Sequence, residues 1–309
     1  MQDRFTGQPT LIQGRRLLEA EAHAALCDDH GRRLAALDRL RAAAAECGLG
    51  TDPDRDLVLL PEDAVSLLEG SGAPWSTLGA AIRDFRALLP LLPLETFGFP
   101  AGVEEPLVEG SLQLRHIGSG VEAWAFAADD GSVYKFFLPR NDLWIGATFS
   151  FRPAEESALQ AEACLGSYRD LLEKLDVINA IGGMPTEAAG VTPEGIIVAK
   201  QTLGERLPER TDTSVLLPPS LIPWPSRFLR TDRDHPRLAF VRGQPWLVAD
   251  PHDRNVVRDT NGGARIIDLV AAPLSPALLQ GFPQLGEWIE RVRHDPAAPM
   301  LAPARDEEL

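Results

Sequence analysis

Three stretches of this chain hold residue types that can do chemistry together. In Asp250-Pro251-His252-Asp253-Arg254-Asn255 an aspartate stands five positions before an asparagine, and Ile266-Ile267-Asp268 places a further aspartate thirteen positions beyond that asparagine. Phosphoryl transfer needs a carboxylate to position or deprotonate an acceptor hydroxyl, and oxygen ligands for a cation that bridges the phosphates. An Asp on a loop, an Asn at its end and an Asp after a short hairpin supply those parts, and carboxylate and amide oxygens are the hard donors that magnesium prefers. Asp and Asn also favour turns for local reasons, which is the plain alternative. Upstream, Ile117-Gly118-Ser119-Gly120-Val121-Glu122 lies between two predicted strands. That context argues against a Rossmann or P-loop turn, which a helix must follow. A glycine-rich turn between strands can lie over phosphates and offer backbone N–H groups; it is also a common hairpin composition. In Val133-Tyr134-Lys135-Phe136 a lysine sits among apolar neighbours, so it must meet an anion or face solvent from an edge strand.

The elements that must position these residues read as follows. Residues 14–47 have helical apolar spacing, with Gly31 predicted to split them into two helices and Gly48 and Gly50 to end the second. Residues 63–69 and 75–89 are two further helices, and the proline-rich stretch 90–106 is read as a linker. Strands are expected over 112–116, 121–127 and 132–137, the last two joined at Asp129-Asp130-Gly131. Residues 153–179 read as helical with a break at Gly166, and 191–192 and 195–199 as strands. Loop with short helices is expected over 208–236, short strands over 246–249, 255–257 and 264–267, and a last helix over 284–292. His23 and His30 read as surface or cap histidines. Trp124, Trp144, Trp224, Trp246 and Trp288 read as core or interface anchors. The stretch 149–151 is either a lid or a segment packed on its lobe.

Composition bounds the rest. The 309 residues carry a formal net charge of −15, which disfavours nucleic-acid backbones, and 44% are apolar, enough for a packed core. Cys27, Cys47 and Cys164 form no CxxC pair, which argues against zinc and suits a reducing compartment. No signal-peptide pattern and no long apolar run is present, so a cytoplasmic protein without membrane spans is expected.

The order Gly118-x-Gly120, Lys135, Asp250-x4-Asn255, Asp268 resembles the protein-kinase superfamily. With His252 in the loop it is similar to aminoglycoside and choline kinase-like phosphotransferases, and closer to the bacterial kinase-like domain of polyvalent phage and mobile-element proteins. The latter similarity rests on Gly120-Val121-Glu122, on Leu172-Glu173-Lys174-Leu175 leading to Asn179, and on Ala199-Lys200-Gln201-Thr202. The resemblance covers about residues 110–275. It implies an α+β, bilobal kinase-like fold over residues 105–285 with a shortened C-lobe, preceded by a helical module (1–104) and followed by a helix end and flexible tail (286–309). It implies ATP and Mg2+ as cofactors. Gly118, Ser119 and Gly120 would lie over the phosphates, and Lys135 would hold them. Glu173 would orient Lys135, with Glu162 as the alternative on the same helical region. Gln201, Thr202 and Leu203 would present backbone groups to the adenine. Asp250 would act on the acceptor hydroxyl, and Asn255 and Asp268 would bind magnesium, with Asp253 a competitor for that role. The sequence departs from ordinary protein kinases at Val248-Ala249 before the loop and at Leu269-Val270 after Asp268, and no Ala-Pro-Glu motif follows. The function implied is transfer of phosphate from ATP to a protein or small-molecule hydroxyl. The alternatives are a nucleotide-binding pseudokinase or interaction module, and an AMP transferase on the same fold.

Overall fold

A computed structural model describes residues 8–50, 54–102, 110–139, 145–154 and 158–296. The helices are α1 (Gln8–Glu46), α2 (Asp54–Val58), α3 (Glu62–Glu69), α4 (Trp75–Leu88), α5 (Tyr168–Ala180), α6 (Pro276–Gln280) and α7 (Pro283–His294). The strands are β1 (Arg115–Ser119), β2 (Ala123–Ala127), β3 (Ser132–Phe137), β4 (Ile145–Pro153), β5 (Leu159–Gly166), β6 (Thr186–Val191), β7 (Ile197–Thr202), β8 (Glu205–Arg206), β9 (Ile222–Pro223), β10 (Leu229–Arg230), β11 (Arg237–Val241), β12 (Gln244–Ala249), β13 (Val256–Arg258), β14 (Ala264–Ile266) and β15 (Val270–Pro273). The chain is α+β. Among the described residues no helix is long and apolar enough to cross a membrane.

The packing divides the chain into two compact units, Met1–Gly146 with Ser167–Leu203, and Ala147–Gly166 with Gly204–Leu309. In the first unit the helices α1 and α4 share one core with α5 and with Phe137, Val191, Ile197 and Ala199 of the sheet. Gly31 does not split α1, which is one helix. Glycine costs a helix interior about 1 kcal/mol. Burial of the face carrying Leu34, Leu37, Leu40 and Ala44 outweighs that cost. Gly48, with φ 74°, ends the helix; its N–H reaches Ala45 O at 3.0 Å and that of Leu49 reaches Ala44 O at 3.0 Å, a Schellman closure. Arg33 Nε donates to Leu88 O at 2.8 Å, where the last carbonyls of α4 need donors; burial lowers the pKa of this guanidinium.

The sheet of this unit runs β1-β2-β3-β7-β6 and is antiparallel throughout. One face meets the helical core. The other is covered by Leu94, Phe97 and Phe99, which pack on Trp124, Phe126 and Phe136. The expected linker is therefore partly a strap: Leu92 N–H bonds to Val191 O at 2.8 Å, and residues 94–97 form a single 3-10 turn. Residues 103–109 lie outside the described residues. His30 is not a surface histidine. It is fully buried, and its Nε2 lies 3.0 Å from Thr186 O. Thr186 is also held by Asn179, whose Nδ2 donates to Thr186 O at 2.8 Å, and by Gln201, whose Nε2 donates to Thr186 Oγ1 at 2.7 Å. One buried polar network thus fastens α1, α5, β6 and β7 together.

The second unit holds the sheet β15-β12-β11-β9, the sheet β10-β5-β4 and the small sheet β14-β13-β8. The residues before Gly166, expected as helix, are strand β5; Ser167 then caps α5 reciprocally with Asp170, whose Oδ2 accepts the Ser167 N–H at 2.7 Å. Trp224 and Trp288 lie 5.4 Å apart in the core with Phe149, and Trp246 is buried too, as anchors should be; Trp144 lies outside the described residues. Phe149 belongs to β4, a strand packed in this core, not a lid. The last helix, α7, falls where the apolar spacing predicts one.

Candidate functional site

The residues expected to do the chemistry fall into two groups, one in each unit. In the second unit, two ladders end side by side. Strand β12 pairs with β15 at Ala249↔Val270, so the residues just outside that pair, Asp250 and Leu269, leave the ladder together. Strand β13 pairs with β14 at Val256↔Ile266, and Ile267 N–H bonds to Asn255 O at 2.8 Å. Asp250, Asn255 and Asp268 therefore meet at one junction, although eighteen residues separate the first from the last. The loop between β12 and β13 is closed on itself: Asn255 Nδ2 donates to the Asp250 carbonyl at 2.9 Å, and the N–H of His252 reaches the same oxygen at 2.9 Å. Thr213 Oγ1 braces it from below by donating to Pro251 O at 2.6 Å.

Asp250 has φ 73°, a left-handed backbone at a non-glycine residue. Such strain persists only where surrounding bonds impose it, here the Asp250 N–H to Asp234 O bond at 2.8 Å and the two donors on its carbonyl. The side chain is 19% exposed. Its carboxylate accepts no hydrogen bond among the described residues; Arg233 Nη1 stands 3.7 Å from Oδ2 and His252 Nε2 3.9 Å from Oδ1.

The donor set for a divalent cation can be judged from the same bonds. Because Asn255 donates through Nδ2 to the Asp250 carbonyl, its amide orientation is settled, and Oδ1 is left as a ligand atom. Asp268 lies across the junction, its Oδ1 accepting from Leu269 N–H at 2.9 Å. Two hard oxygen donors suit magnesium, which takes one or two side chains and fills its shell with water and phosphate. Among the described residues no three His, Cys, Asp or Glu side chains form a cation cluster. Asp253, the expected competitor, is turned away: its Oδ2 accepts the Arg210 N–H at 2.6 Å.

In the first unit, Lys135 is on the central strand β3, between Ala125 of β2 and Ala199 of β7, and is 8% exposed. The edge-strand alternative is thereby excluded. Gly118 lies in the same transverse row, opposite Ala125. The row Gly118, Ala125, Lys135, Ala199 and Ala188 carries small side chains on either side of the lysine.

Several expected placements in this unit are corrected. Gly118 and Ser119 belong to β1 and pair with β2; the turn proper is Gly120-Val121-Glu122, closed by the Gly120 N–H to Ala123 O bond at 2.8 Å. Gln201 is paired on both sides, with Val133 and Thr186, because β7 is an interior strand; Leu203 N–H is spent on Gly131 O at 2.8 Å. Of the three residues expected to face an adenine, Thr202 and Leu203 lie past the last pair with β6, and Thr202 still pairs with Ser132 of β3. Glu173 does not orient Lys135. It is one helical turn from Arg169, whose Nε donates to it at 2.7 Å, and Arg169 also binds Asp38 of α1. Burial raises the Glu173 pKa against the pull of Arg169. Glu162 is on β5, not on a helix, and is bound by Arg152 and Gln160.

The residue of α5 that does point inward is Lys174. It is fully buried, ion-paired with Glu122 of the turn, and its Nζ lies 5.7 Å from the Phe137 ring centre. Successive helix positions differ by about 100°, so one step along the chain exchanges the outward Glu173 for an inward Lys174. Neither Lys174 nor Thr213 stands out in the sequence, since each gains its meaning from a partner distant in the chain. No protein-family model, curated protein or solved structure matches this chain.

Proposed function

We propose that this chain is an ATP- and magnesium-dependent phosphotransferase of protein-kinase-like, bilobal fold that acts on a hydroxyl acceptor. The observation that carries the reading is the closed loop in which Asn255 bonds the Asp250 carbonyl at 2.9 Å and Ile267 bonds Asn255 at 2.8 Å. That fold supports Asp250 as the group that positions or deprotonates the acceptor hydroxyl, and Asn255 and Asp268 as oxygen ligands of magnesium on the nucleotide phosphates. Lys135 on the third strand, in a row with Gly118, supports a phosphate-holding role in the same reaction. When bound, magnesium would neutralise charge on the transferred phosphoryl group. The acceptor, a protein or a small molecule, and the nucleotide are the partners this reading requires; a net charge of −15 argues against nucleic acid as one of them. A cytoplasmic setting fits a chain with three cysteines and no CxxC pair.

One observation favours a second reading, a nucleotide-binding module without turnover. In protein kinases a strand lysine and a helix glutamate must pair for activity, and here Glu173 is held by Arg169. Both readings meet one experiment. Mg-ATP is supplied to the wild type and to Asp268→Ala, consumption is followed, and the acceptor is weighed by mass spectrometry. A phosphate-sized gain lost in Asp268→Ala is expected. An adenylate-sized gain assigns AMP transfer instead. Equal consumption by both proteins removes the catalytic reading. Thermal stabilisation by Mg-ATP without consumption selects the binding module.

A further inference from the structure

The loop that carries Asp250, and the strand that follows it, are bonded to one other segment of the same unit, residues 204–215. That segment opens with β8, which pairs with β13 at Arg206↔Val257 and Glu205↔Arg258, directly after Asn255. Gly204 must be a glycine there, because a Cβ would stand 2.9 Å from the Arg258 carbonyl oxygen. Further on, Pro208 O accepts the Thr211 N–H at 3.2 Å and the Thr211 hydroxyl at 2.6 Å, closing a turn in which Arg210 has φ 61°. The Arg210 N–H then donates to Asp253 Oδ2 at 2.6 Å. Asp212 caps a 3-10 turn by accepting the Ser214 N–H at 3.0 Å. Thr213, 1% exposed in that turn, donates its hydroxyl to Pro251 O at 2.6 Å.

The bonds inside the 250–255 loop join its two ends, since His252 N–H and Asn255 Nδ2 both reach Asp250 O at 2.9 Å. They do not hold its middle. Pro251 has a fixed φ and no N–H, so ψ is the soft torsion there. Rotation about it would turn the Pro251 carbonyl and shift the rest of the loop against Asp250. The Thr213 hydroxyl pins that carbonyl. The Arg210 N–H pins the loop again two residues on, through a bond strengthened by the charge on Asp253. We propose that Thr213 and Asp253 are positioning residues, which clamp the loop to residues 204–215 and so hold Asp250 in place relative to Asn255 and Asp268. The reaction they serve rests on the phosphotransfer reading; the clamp rests on the two bonds. Asp253 is thereby a brace, not a magnesium ligand.

The test uses the full-length protein, with Mg-ATP consumption in water as one readout and amide hydrogen exchange of residues 250–255 as the other. Thr213→Val should lower kcat about tenfold or more at unchanged KM for Mg-ATP. Thr213→Ser, which keeps the hydroxyl, should restore most of the loss. Asp253→Ala should lower kcat as well, with no change in the Mg2+ concentration that gives half activity. The His252 and Asn255 amides should exchange faster in both damaging variants. Thr148→Val is the matched control: Thr148 is also buried and donates to a carbonyl, Ala271 O at 3.0 Å, so its loss should leave kcat and the loop amides as in the wild type. A wild-type kcat in Thr213→Val, an equal loss in Thr148→Val, no rescue by Thr213→Ser, or a raised Mg2+ requirement in Asp253→Ala would overturn the proposal. Should Thr213→Val not fold, Asp253→Ala carries both readouts. If the wild type consumes no Mg-ATP, the phosphotransfer reading falls and exchange alone decides: faster loop amides uphold the clamp, and unchanged ones remove it.

Discussion

Two sets of charged side chains, one in each unit, are bonded differently. In the first unit Lys174 is answered by Glu122, Arg41 by Asp54 with Nε 2.9 Å from Oδ1, and Glu173 by Arg169. In the second, at the junction of β12 with β15 and β13 with β14, the Asp250 carboxylate and the Arg233 guanidinium meet at 3.7 Å without a hydrogen bond among the described residues. Charges that satisfy one another hold elements together. Charges held near each other without a hydrogen bond, on a strained backbone, are the ones the proposed phosphotransfer would use.

The comparison is broken most severely at Lys174. Lys174→Met leaves Glu122 with its ion-pair partner gone in a closed environment, and should cost about 3–5 kcal/mol by denaturant unfolding. Lys174→Met combined with Glu122→Gln should recover much of that loss. If the single variant is as stable as wild type, the pair is not structural and the contrast between the units fails.

A smaller effect sharpens the other side. At φ 73°, Asp250→Gly should be about 1 kcal/mol more stable than Asp250→Ala, because glycine alone takes the left-handed backbone freely. Both variants should lose phosphotransfer. Equal stability would mean that the strain at residue 250 is not stored in the native loop.

The smallest expected effect is a slope. The folded Glu173 carboxyl has its pKa raised by burial above the ordinary 4.5, with Arg169 opposing. The native state therefore binds more protons than the unfolded chain in the window above 4.5. The stability from this group is complete below that value and is lost as pH rises through the raised folded one. Glu173→Gln should flatten the dependence of stability on pH across that window. An unchanged slope would show that the group titrates as if exposed.

The meeting of Asp250 with Asn255 in the second unit was readable because its parts are close in the chain. A loop beginning with Asp250 and closing on Asn255, followed by a hairpin marked Asn261-Gly262-Gly263, is local turn chemistry, and β13 and β14 lie on either side of that turn. Lys135 was readable for a related reason: strand alternation set it among apolar residues, and the sheet did enclose it. The glutamate expected to orient it was not readable. Composition shows that residues 172–175 carry a helix with adjacent opposite charges, but which of the two faces the sheet depends on the rotation of α5 about its axis. That rotation is decided by what α1 and the sheet offer, at long range.

Local sequence patterns determined the mixed α+β character and the positions of many elements, because turns, caps and apolar spacing act over a few residues. The tertiary structure alone decided that α1 continues through Gly31, that His30 is interior, that the stretch 92–99 straps the sheet, and that Lys174 faces Glu122 while Glu173 faces Arg169. It also decided that Arg233 is the arginine 3.7 Å from the Asp250 carboxylate. Each of these depends on burial against a surface from elsewhere in the chain, and burial free energy outweighs the local preference of about 1 kcal/mol by which a single residue announces itself.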